Sequence, residues 1–278
     1  MILRAPAKLN LCLYLGPRRD DGLHELCSLI QPLTLADRIE VVDASDDRVV
    51  CEGVDGRNLA ADALELLRAR GWSRPPLRVE IEKRIPVAAG LGGGSADAAA
   101  VLRLARGEVG ALDELALELG ADVPGQLEPG TALIGGAGER VEALPEPSEY
   151  AVVLIPAANG LSTAEVYGEA DRLGLGRTGD ELAAMAERLR AAASGHDSPL
   201  RYPELLDNDL QDAALSLRPE IGGALDALRD VGAERALVTG SGPTAFGLFA
   251  DVALADRAAD SLAPRYASAV VAGPESYR

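Results

Sequence analysis

The chain has 278 residues, of which 47% are hydrophobic and 26% charged, a composition typical of globular rather than disordered proteins. Its formal net charge of −17 argues against nucleic-acid binding, because such a surface repels phosphate backbones and no run of Arg and Lys forms a basic patch. Three scattered cysteines show neither a disulfide framework nor metal-ligand spacing. With no apolar signal core and no membrane-length apolar run, we expect a cytoplasmic protein that does not bind membranes.

The first half of the chain predicts strands mixed with short helices. Residues 5–15 alternate strictly, with leucines on one face and mainly polar residues on the other, which predicts a strand with one buried face. The remaining patterns predict strands at 37–44 and 76–85, helices at 58–71 and 113–120, and a hairpin at 130–144.

A linker pattern near residues 145–150 precedes the second half, so we expect two domains, 1–148 and 149–278. The segment 176–206 is polar and interrupted, which predicts one helix and a mobile loop. Strand patterns and helix patterns occur in both halves, which predicts an α+β protein. The other elements predicted here are strands at 151–157 and 267–273, helices at 163–174, 218–232 and 252–265, and a strand, tight turn and strand at 234–250.

A glycine-rich stretch, with Gly90, Gly92, Gly93 and Gly94, precedes Ser95 and an alanine-rich helix pattern. Such a loop presents backbone N–H groups at the positive end of a helix dipole, which suits an anion. Ser95 could be the N-cap or could bind a phosphate or its magnesium. The stretch is not a P-loop and fits a dinucleotide fingerprint only loosely. The alternative is an ordinary loop with a glycine cap.

Only two of the 27 basic residues are lysines, Lys8 and Lys83. A compact ammonium cannot be replaced simply by a planar guanidinium, so either lysine could serve a site that needs a point charge. The alternatives are a solvated strand face for Lys8 and chance retention for Lys83.

The glycine stretch, PVAAGLGGGSADAAAVL at 86–102, resembles the central motif of the GHMP kinases. PAKLNLCLYLGPRRDDGLHEL at 6–26, GADVP at 120–124 and TGSGPTAFGLF at 239–249 are similar, in the same order, to a branch that phosphorylates a cytidine-diphosphate-linked methylerythritol. The resemblance runs from about residue 4 to about residue 250. It implies an N-terminal ribosomal-S5-domain-2-like βαβ domain and a C-terminal ferredoxin-like domain.

The resemblance also implies an activity: phosphorylation of the C2 hydroxyl of that substrate by ATP and Mg²⁺, in the methylerythritol phosphate route to isoprenoid precursors. Lys8 and Asp122 are then the catalytic pair, with Asp122 orienting or accepting the hydroxyl proton. Without the resemblance, Asp122 is a turn residue. No residue is assigned as a metal ligand. The implied ATP-binding residues are Asn58, Pro86, Gly90, Leu91, Gly92, Gly93, Gly94, Ser95 and Ala96.

The substrate residues follow from the same resemblance. His24 and Tyr167 correspond to the residues that read and stack on cytosine, and Asn58 to an adenine contact. Each has an ordinary alternative: a surface histidine, a half-buried helix residue and an N-cap. A ligand-free hairpin turn is the alternative for Gly240–Gly242. The full substrate set is Asn10, His24, Thr163, Tyr167, Gly240 and Ser241.

Two departures from the branch put cytidine affinity in question: Leu23 stands where an aromatic is usual, and Gly125 and Gln126 stand where bulky aromatics are common. Asp97, near the expected phosphates, would need magnesium or distance to avoid repulsion. The rival functions are another GHMP kinase, acting on homoserine, mevalonate or a sugar, and a non-catalytic nucleotide-binding regulator on the same fold. We expect a monomer or homodimer.

Overall fold

The computed structural model describes residues 1–54 and 56–275, and they form two compact units that are each discontinuous in sequence. The first unit comprises Met1–Lys8, Leu35–Val87 and Gly92–Pro129. The second comprises Leu9–Thr34, Ala88–Leu91 and the described residues from Gly130 onward. These units are defined by contacts, so the expected domain boundary between residues 148 and 149 stays a prediction.

No helix of the described residues combines the length and apolar character needed to cross a membrane.

The strands and helices alternate irregularly along the chain. Two 3-10 turns, Pro199–Arg201 and Pro203–Leu205, follow the sixth helix. In chain order the elements are β1 (Ile2–Arg18), β2 (His24–Asp43), β3 (Arg48–Cys51), α1 (Leu59–Ala69), β4 (Leu77–Glu82), α2 (Gly93–Arg103), α3 (Leu112–Leu119), α4 (Pro124–Leu127), β5 (Ala132–Gly136), β6 (Arg140–Ala143), β7 (Ala151–Ile155), α5 (Thr163–Leu173), α6 (Gly179–Ala193), α7 (Gln211–Leu217), α8 (Glu220–Asp230), β8 (Arg235–Val238), β9 (Ala245–Phe249), α9 (Val252–Leu262) and β10 (Val270–Ala272).

The first unit contains a βαβ arrangement. Strands β3 and β4 are parallel, with α1 in the connection between them, and β4 is antiparallel to the last part of β2, from Arg38↔Glu82 to Asp43↔Leu77. Helix α2 is buried along its alanine-rich stretch, whose small side chains allow close packing against α1. Trp72 lies in the same core at 4% exposure. The βαβ fold implied by the resemblance is confirmed for this part of the chain.

The second unit contains a four-stranded antiparallel sheet with strand order β10-β7-β9-β8. Helices lie between β7 and β8 and between β9 and β10, so the chain follows a β-α-β-β-α-β course, which is ferredoxin-like. Residues of α8 and α9, including Leu228 and Leu262, form one core with Val153 and Phe249 of the sheet. The ferredoxin-like prediction is therefore confirmed.

Strand β1 is buried on both faces from Leu9 to Gly16, so the prediction of a single buried face is wrong there. Leu13 and Leu15 pack against residues of α5 and α7. The opposite face carries Tyr14, whose hydroxyl donates a hydrogen bond to the Leu205 carbonyl at 2.7 Å. The segment predicted to hold a mobile loop instead places Tyr202, Leu205 and Leu206 in buried positions after helix α6.

Candidate active site

The structure brings together the two residues expected to be catalytic. Lys8 lies on β1 with 7% of its surface exposed, and its Nζ is 3.4 Å from Oδ2 of Asp122. Asp122 stands in the turn between α3 and α4, where the Val123 N–H donates to the Gly120 carbonyl at 3.1 Å. Its side chain is 54% exposed. A buried ammonium therefore faces a carboxylate that an incoming hydroxyl can reach.

Gly92 lies directly against this pair. Its φ is +68°, in the left-handed region that favours glycine. A Cβ at Gly92 would stand 2.8 Å from Cγ of Lys8, closer than side-chain contacts allow, and 3.0 Å from Nε2 of Gln126, a tight contact. The glycine is therefore needed both for its backbone angle and for the close approach of the Lys8 stem.

Helix α2 begins just after Gly92. Its first intrahelical bond runs from the Ala96 N–H to the Gly92 carbonyl at 2.8 Å, so the N–H groups of Gly93, Gly94 and Ser95 precede it at the positive end of the helix dipole. Gly92 is the N-cap. The N-cap interpretation of Ser95 is wrong because the helix begins two residues before it.

The start of the glycine stretch contacts the expected third motif within the second unit. The Thr244 hydroxyl donates to the Ala89 carbonyl at 2.6 Å, and a Cβ on Gly90, whose φ is +77°, would overlap the Gly242 carbonyl oxygen. Ser241, in the same turn, places its Oγ 3.0 Å from Oγ1 of Thr163. Thr163 and the turn at Gly240–Gly242, both expected at the substrate, thus lie together.

Asn10 lies on β1 at 6% exposure. Its Nδ2 donates to the Ser28 hydroxyl at 2.7 Å, and its backbone N–H donates to Oγ1 of Thr239 at 2.9 Å. Because Thr239 directly precedes Gly240, Asn10 is fixed beside the same turn. Ser28 and Thr239 were not singled out by the sequence, since their partners are distant in the chain.

His24 and Tyr167 also lie together, with ring centroids 5.5 Å apart and ring planes inclined by 42°. His24 is buried, and its Nε2 is 2.8 Å from Oδ1 of Asp171, a partner one helical turn beyond Tyr167 that sequence reasoning missed. Leu23, one of the departures noted above, is 54% exposed. The His24–Tyr167 pair presents a tilted aromatic surface of the kind that can accept a flat base.

The remaining residues expected to bind ATP differ in exposure and in the groups that are free to contact a ligand. Asn58 caps α1, with Oδ1 accepting from the Ala60 N–H at 2.9 Å, as the ordinary interpretation predicts. Leu91 and Ala96 are 1% and 0% exposed, so only their backbone could face a ligand. Pro86 is partly exposed in the connection between β4 and α2.

Lys83 lies at the centre of a buried ion cluster that sequence reasoning missed. Its Nζ contacts Oδ2 of Asp37 and stands 2.8 Å from Oδ2 of Asp97. Asp37 is fully buried, and its other oxygen accepts from the backbone N–H groups of Arg84 at 2.6 Å and Ile85 at 2.8 Å. Lys83 is therefore a structural residue. Its ammonium compensates the charge of Asp97, for which magnesium or distance from the phosphates was expected.

The cluster holds two carboxylates and one ammonium. Burial raises the pKa of Asp97 to about 7, while Lys83 opposes that shift. Burial alone would lower the pKa of Lys83, but Asp97 and Asp37 outweigh it and raise that pKa. Protonation of Asp97, whose pKa lies near neutrality, removes one negative charge from this buried cluster.

Comparison with known proteins places these residues in context. The chain matches the family model of the GHMP kinases N terminal domain over residues 58–129 and that of the GHMP kinases C terminal over residues 178–268. It is 41% identical over 276 residues to a 4-diphosphocytidyl-2-C-methyl-D-erythritol kinase of Streptomyces avermitilis, covering 94% of this chain and 91% of that protein. A protein of the same name from Rhodococcus jostii is 40% identical, with 95% and 88% covered.

Solved structures of GHMP kinases are also similar to this chain. A crystal structure of 4-(cytidine 5'-diphospho)-2C-methyl-D-erythritol kinase matches with a TM-score of 0.81 and 34% identity, covering 99% of this chain and all of that one. A homoserine kinase from Cytophaga hutchinsonii matches with a TM-score of 0.72 and 18% identity, covering 99% of this chain and 94% of the other. This second likeness concerns the fold alone.

Proposed function

The chain belongs to the GHMP kinase family, among the 4-diphosphocytidyl-2-C-methyl-D-erythritol kinases, and on that premise we propose that it phosphorylates the C2 hydroxyl of 4-diphosphocytidyl-2-C-methyl-D-erythritol with ATP. The product is the corresponding 2-phosphate, an intermediate on the route to isoprenoid precursors. We further propose that it acts in the cytoplasm as a monomer or homodimer.

The observation that carries the proposal is the Lys8–Asp122 pair beside Gly92. The substrate hydroxyl donates its hydrogen bond to Asp122, which orients it and receives its proton as the oxygen attacks the γ-phosphorus. The bond from that phosphorus to the bridging oxygen of ADP then breaks. Lys8, held 3.4 Å from the carboxylate, offsets negative charge on the transferred phosphoryl group. The substitution Asp122→Asn keeps the shape of the side chain at residue 122 but removes the carboxylate that accepts the proton.

Backbone donors suit the nucleotide phosphates. The N–H groups of Gly93, Gly94 and Ser95 stand at the start of α2, where the dipole favours an anion. Among residues 1–54 and 56–275, no group of three or more His, Cys, Asp or Glu is placed to hold a metal. Kinases usually bind Mg²⁺ through substrate phosphates and one or two protein ligands. We propose that the phosphates and the Ser95 hydroxyl hold Mg²⁺, which would neutralise phosphate charge.

We assign the cytidyl end of the substrate to residues of the second unit. Tyr167 and His24 offer a tilted aromatic pair for the cytosine, and stacking suits any flat base. Asn10, Thr163 and Ser241 supply polar groups for the rest of the substrate. Gly240 lets the backbone of its turn approach closely, since its φ is +57° and it carries no side chain.

The test is ADP release from the purified chain with MgATP and 4-diphosphocytidyl-2-C-methyl-D-erythritol, beside mevalonate, homoserine and galactose. We expect turnover on the cytidyl substrate alone, and a loss of at least about 100-fold in kcat for Asp122→Asn, the lower range for removing a general base. Turnover on another acceptor would indicate a different GHMP kinase. ATP binding without any turnover would indicate a nucleotide-binding regulator.

A further inference from the structure

Three buried side-chain atoms in the described part of the chain have no hydrogen-bond partner: Oδ1 of Asp97, Nε2 of Gln126 and the Tyr150 hydroxyl. The first belongs to the ion cluster around Lys83. The second lies beside the Lys8–Asp122 pair, and no structural role described above accounts for it.

Gln126 is 2% exposed, and its Nε2 stands 3.0 Å from the point where a Cβ of Gly92 would lie. Cγ of Lys8 is 2.8 Å from that same point. The carboxamide and the lysine stem therefore press on the same face of the glycine. The Nε2 donor of Gln126 therefore lies beside Gly92, the start of helix α2 and the side chain of Lys8.

The backbone of Gln126 is held independently of its side chain. Arg103, at the end of α2, donates from Nη1 to the Gln126 carbonyl at 2.7 Å and from Nη2 to the Arg4 carbonyl at 3.1 Å. One guanidinium thus fixes α4 beside β1, the strand that carries Lys8. The side-chain amide is not required for this connection, so its burial without a partner calls for another explanation.

An unsatisfied buried donor destabilises the folded chain, whereas an apolar group of the same shape in its place is neutral or stabilising. Selection for stability alone would not keep a glutamine here. An acceptor that arrives with a ligand would satisfy the donor. The terminal torsion of glutamine is soft, so the amide can turn toward the glycine stretch without moving its stem.

We propose that Gln126 is a nucleotide-binding residue whose side-chain amide donates a hydrogen bond to a phosphate oxygen of bound ATP. The inference rests on the proposed function, since transfer to a hydroxyl at Asp122 requires the phosphate to lie within reach of Lys8 and Asp122. A hydrogen bond to a charged oxygen is about twice as strong as a neutral one. The departure from aromatic residues at this position thus adds a contact to the nucleotide.

The test is Gln126→Met, which keeps the length of the side chain and removes the donor. We expect an unchanged or raised melting temperature without ligand, an apparent KM for ATP raised about tenfold, and an unchanged KM for the cytidyl substrate. MgATP should raise the melting temperature of this variant less than that of the wild type. Gln126→Glu, which places a negative charge there, should weaken ATP binding further.

Gln31→Met is the matched control, because Gln31 is fully buried but satisfied: its Oε1 accepts from the Thr131 hydroxyl at 2.8 Å. We expect this variant to lose melting temperature and to keep the KM for ATP.

An unchanged KM for ATP in Gln126→Met, or a rise in KM that accompanies a fall in melting temperature, would overturn the inference. If the wild type binds ATP but turns over no cytidyl substrate, the proposed function fails, while the ATP-linked melting shift still decides the role of Gln126. A wild type that MgATP does not stabilise would overturn both.

Discussion

Replacing Lys83 with methionine should destabilise the first unit strongly. The side chain of Lys83 is 14% exposed, and it compensates Asp37 and Asp97, which are nearly or fully buried. Removing one partner of a buried ion pair leaves an uncompensated charge, which costs about 3–5 kcal/mol. Asp97 can escape part of this by taking up a proton, so we place the loss of unfolding free energy at about 3 kcal/mol.

The double variant Lys83→Met/Asp97→Asn tests whether the uncompensated charge of Asp97 causes part of this loss. It leaves only Asp37 without its ammonium, and Asp37 keeps its two backbone donors. We therefore expect it to recover roughly half of the loss, since the two positions share one network. The assay is urea unfolding at pH 8 followed by the fluorescence of Trp72, the one tryptophan, which is buried in the core of the same unit.

A loss below about 1 kcal/mol in Lys83→Met, the range of an exposed pair, would refute the reasoning about this cluster. So would a double variant less stable than Lys83→Met, because Asp97 would then contribute favourably without its ammonium.

Two further variants probe the same unit. The pKa of Asp97 is raised from 3.8 to about 7, so between these pH values the folded state binds a proton that the unfolded state does not. The contribution of Asp97 to the unfolding free energy therefore falls by at most about 4 kcal/mol as the pH rises from 4 to 7. The unfolding free energy of the wild type should therefore fall with pH over this range relative to that of Asp97→Asn. Parallel curves of unfolding free energy against pH for the two proteins would contradict this. Gly92→Ala should lose about 1–2 kcal/mol of stability through its left-handed φ and at least about tenfold in kcat as Lys8 is displaced. Gly71→Ala, with φ +84° and no atom within 4 Å of the new side chain, is the control for backbone strain, and an equal loss of kcat there would exclude the steric explanation.

Patterns within a few residues predicted a large part of this molecule. An apolar run identified β7, a helical pattern identified α5, and a strand–turn–strand pattern identified the β8–β9 pair, because burial imposes a pattern on neighbouring residues. The GADVP turn and the glycine stretch directed attention to Asp122 and Gly92, and the structure does bring these together with Lys8. Glycine and proline determine backbone shape locally, so their positions are informative without a structure.

The parts that were missed depend on contacts between distant residues. Lys83 and Asp37 are 46 positions apart, and no local pattern marks either as a partner of the other. The second buried face of β1 arises from Leu205 and its neighbours, nearly 200 residues later. Ser95 was misplaced as an N-cap because helix boundaries shift by one or two residues where glycines precede them.

The discontinuity of the two units has a consequence for synthesis on the ribosome. Every residue of the first unit has been made once Pro129 is reached, whereas Leu9–Thr34 belongs to a unit that draws its other partners mainly from Gly130 onward. The backbone of Asn10, for example, must wait for Thr239. The stretch from Pro129 to Thr239 is about 110 residues, which takes about 6–22 s to synthesise at about 5–20 residues per second. During that time, the apolar stretch of β1 lacks its later partners, and a nascent chain paused there would depend on chaperones to keep it from aggregating.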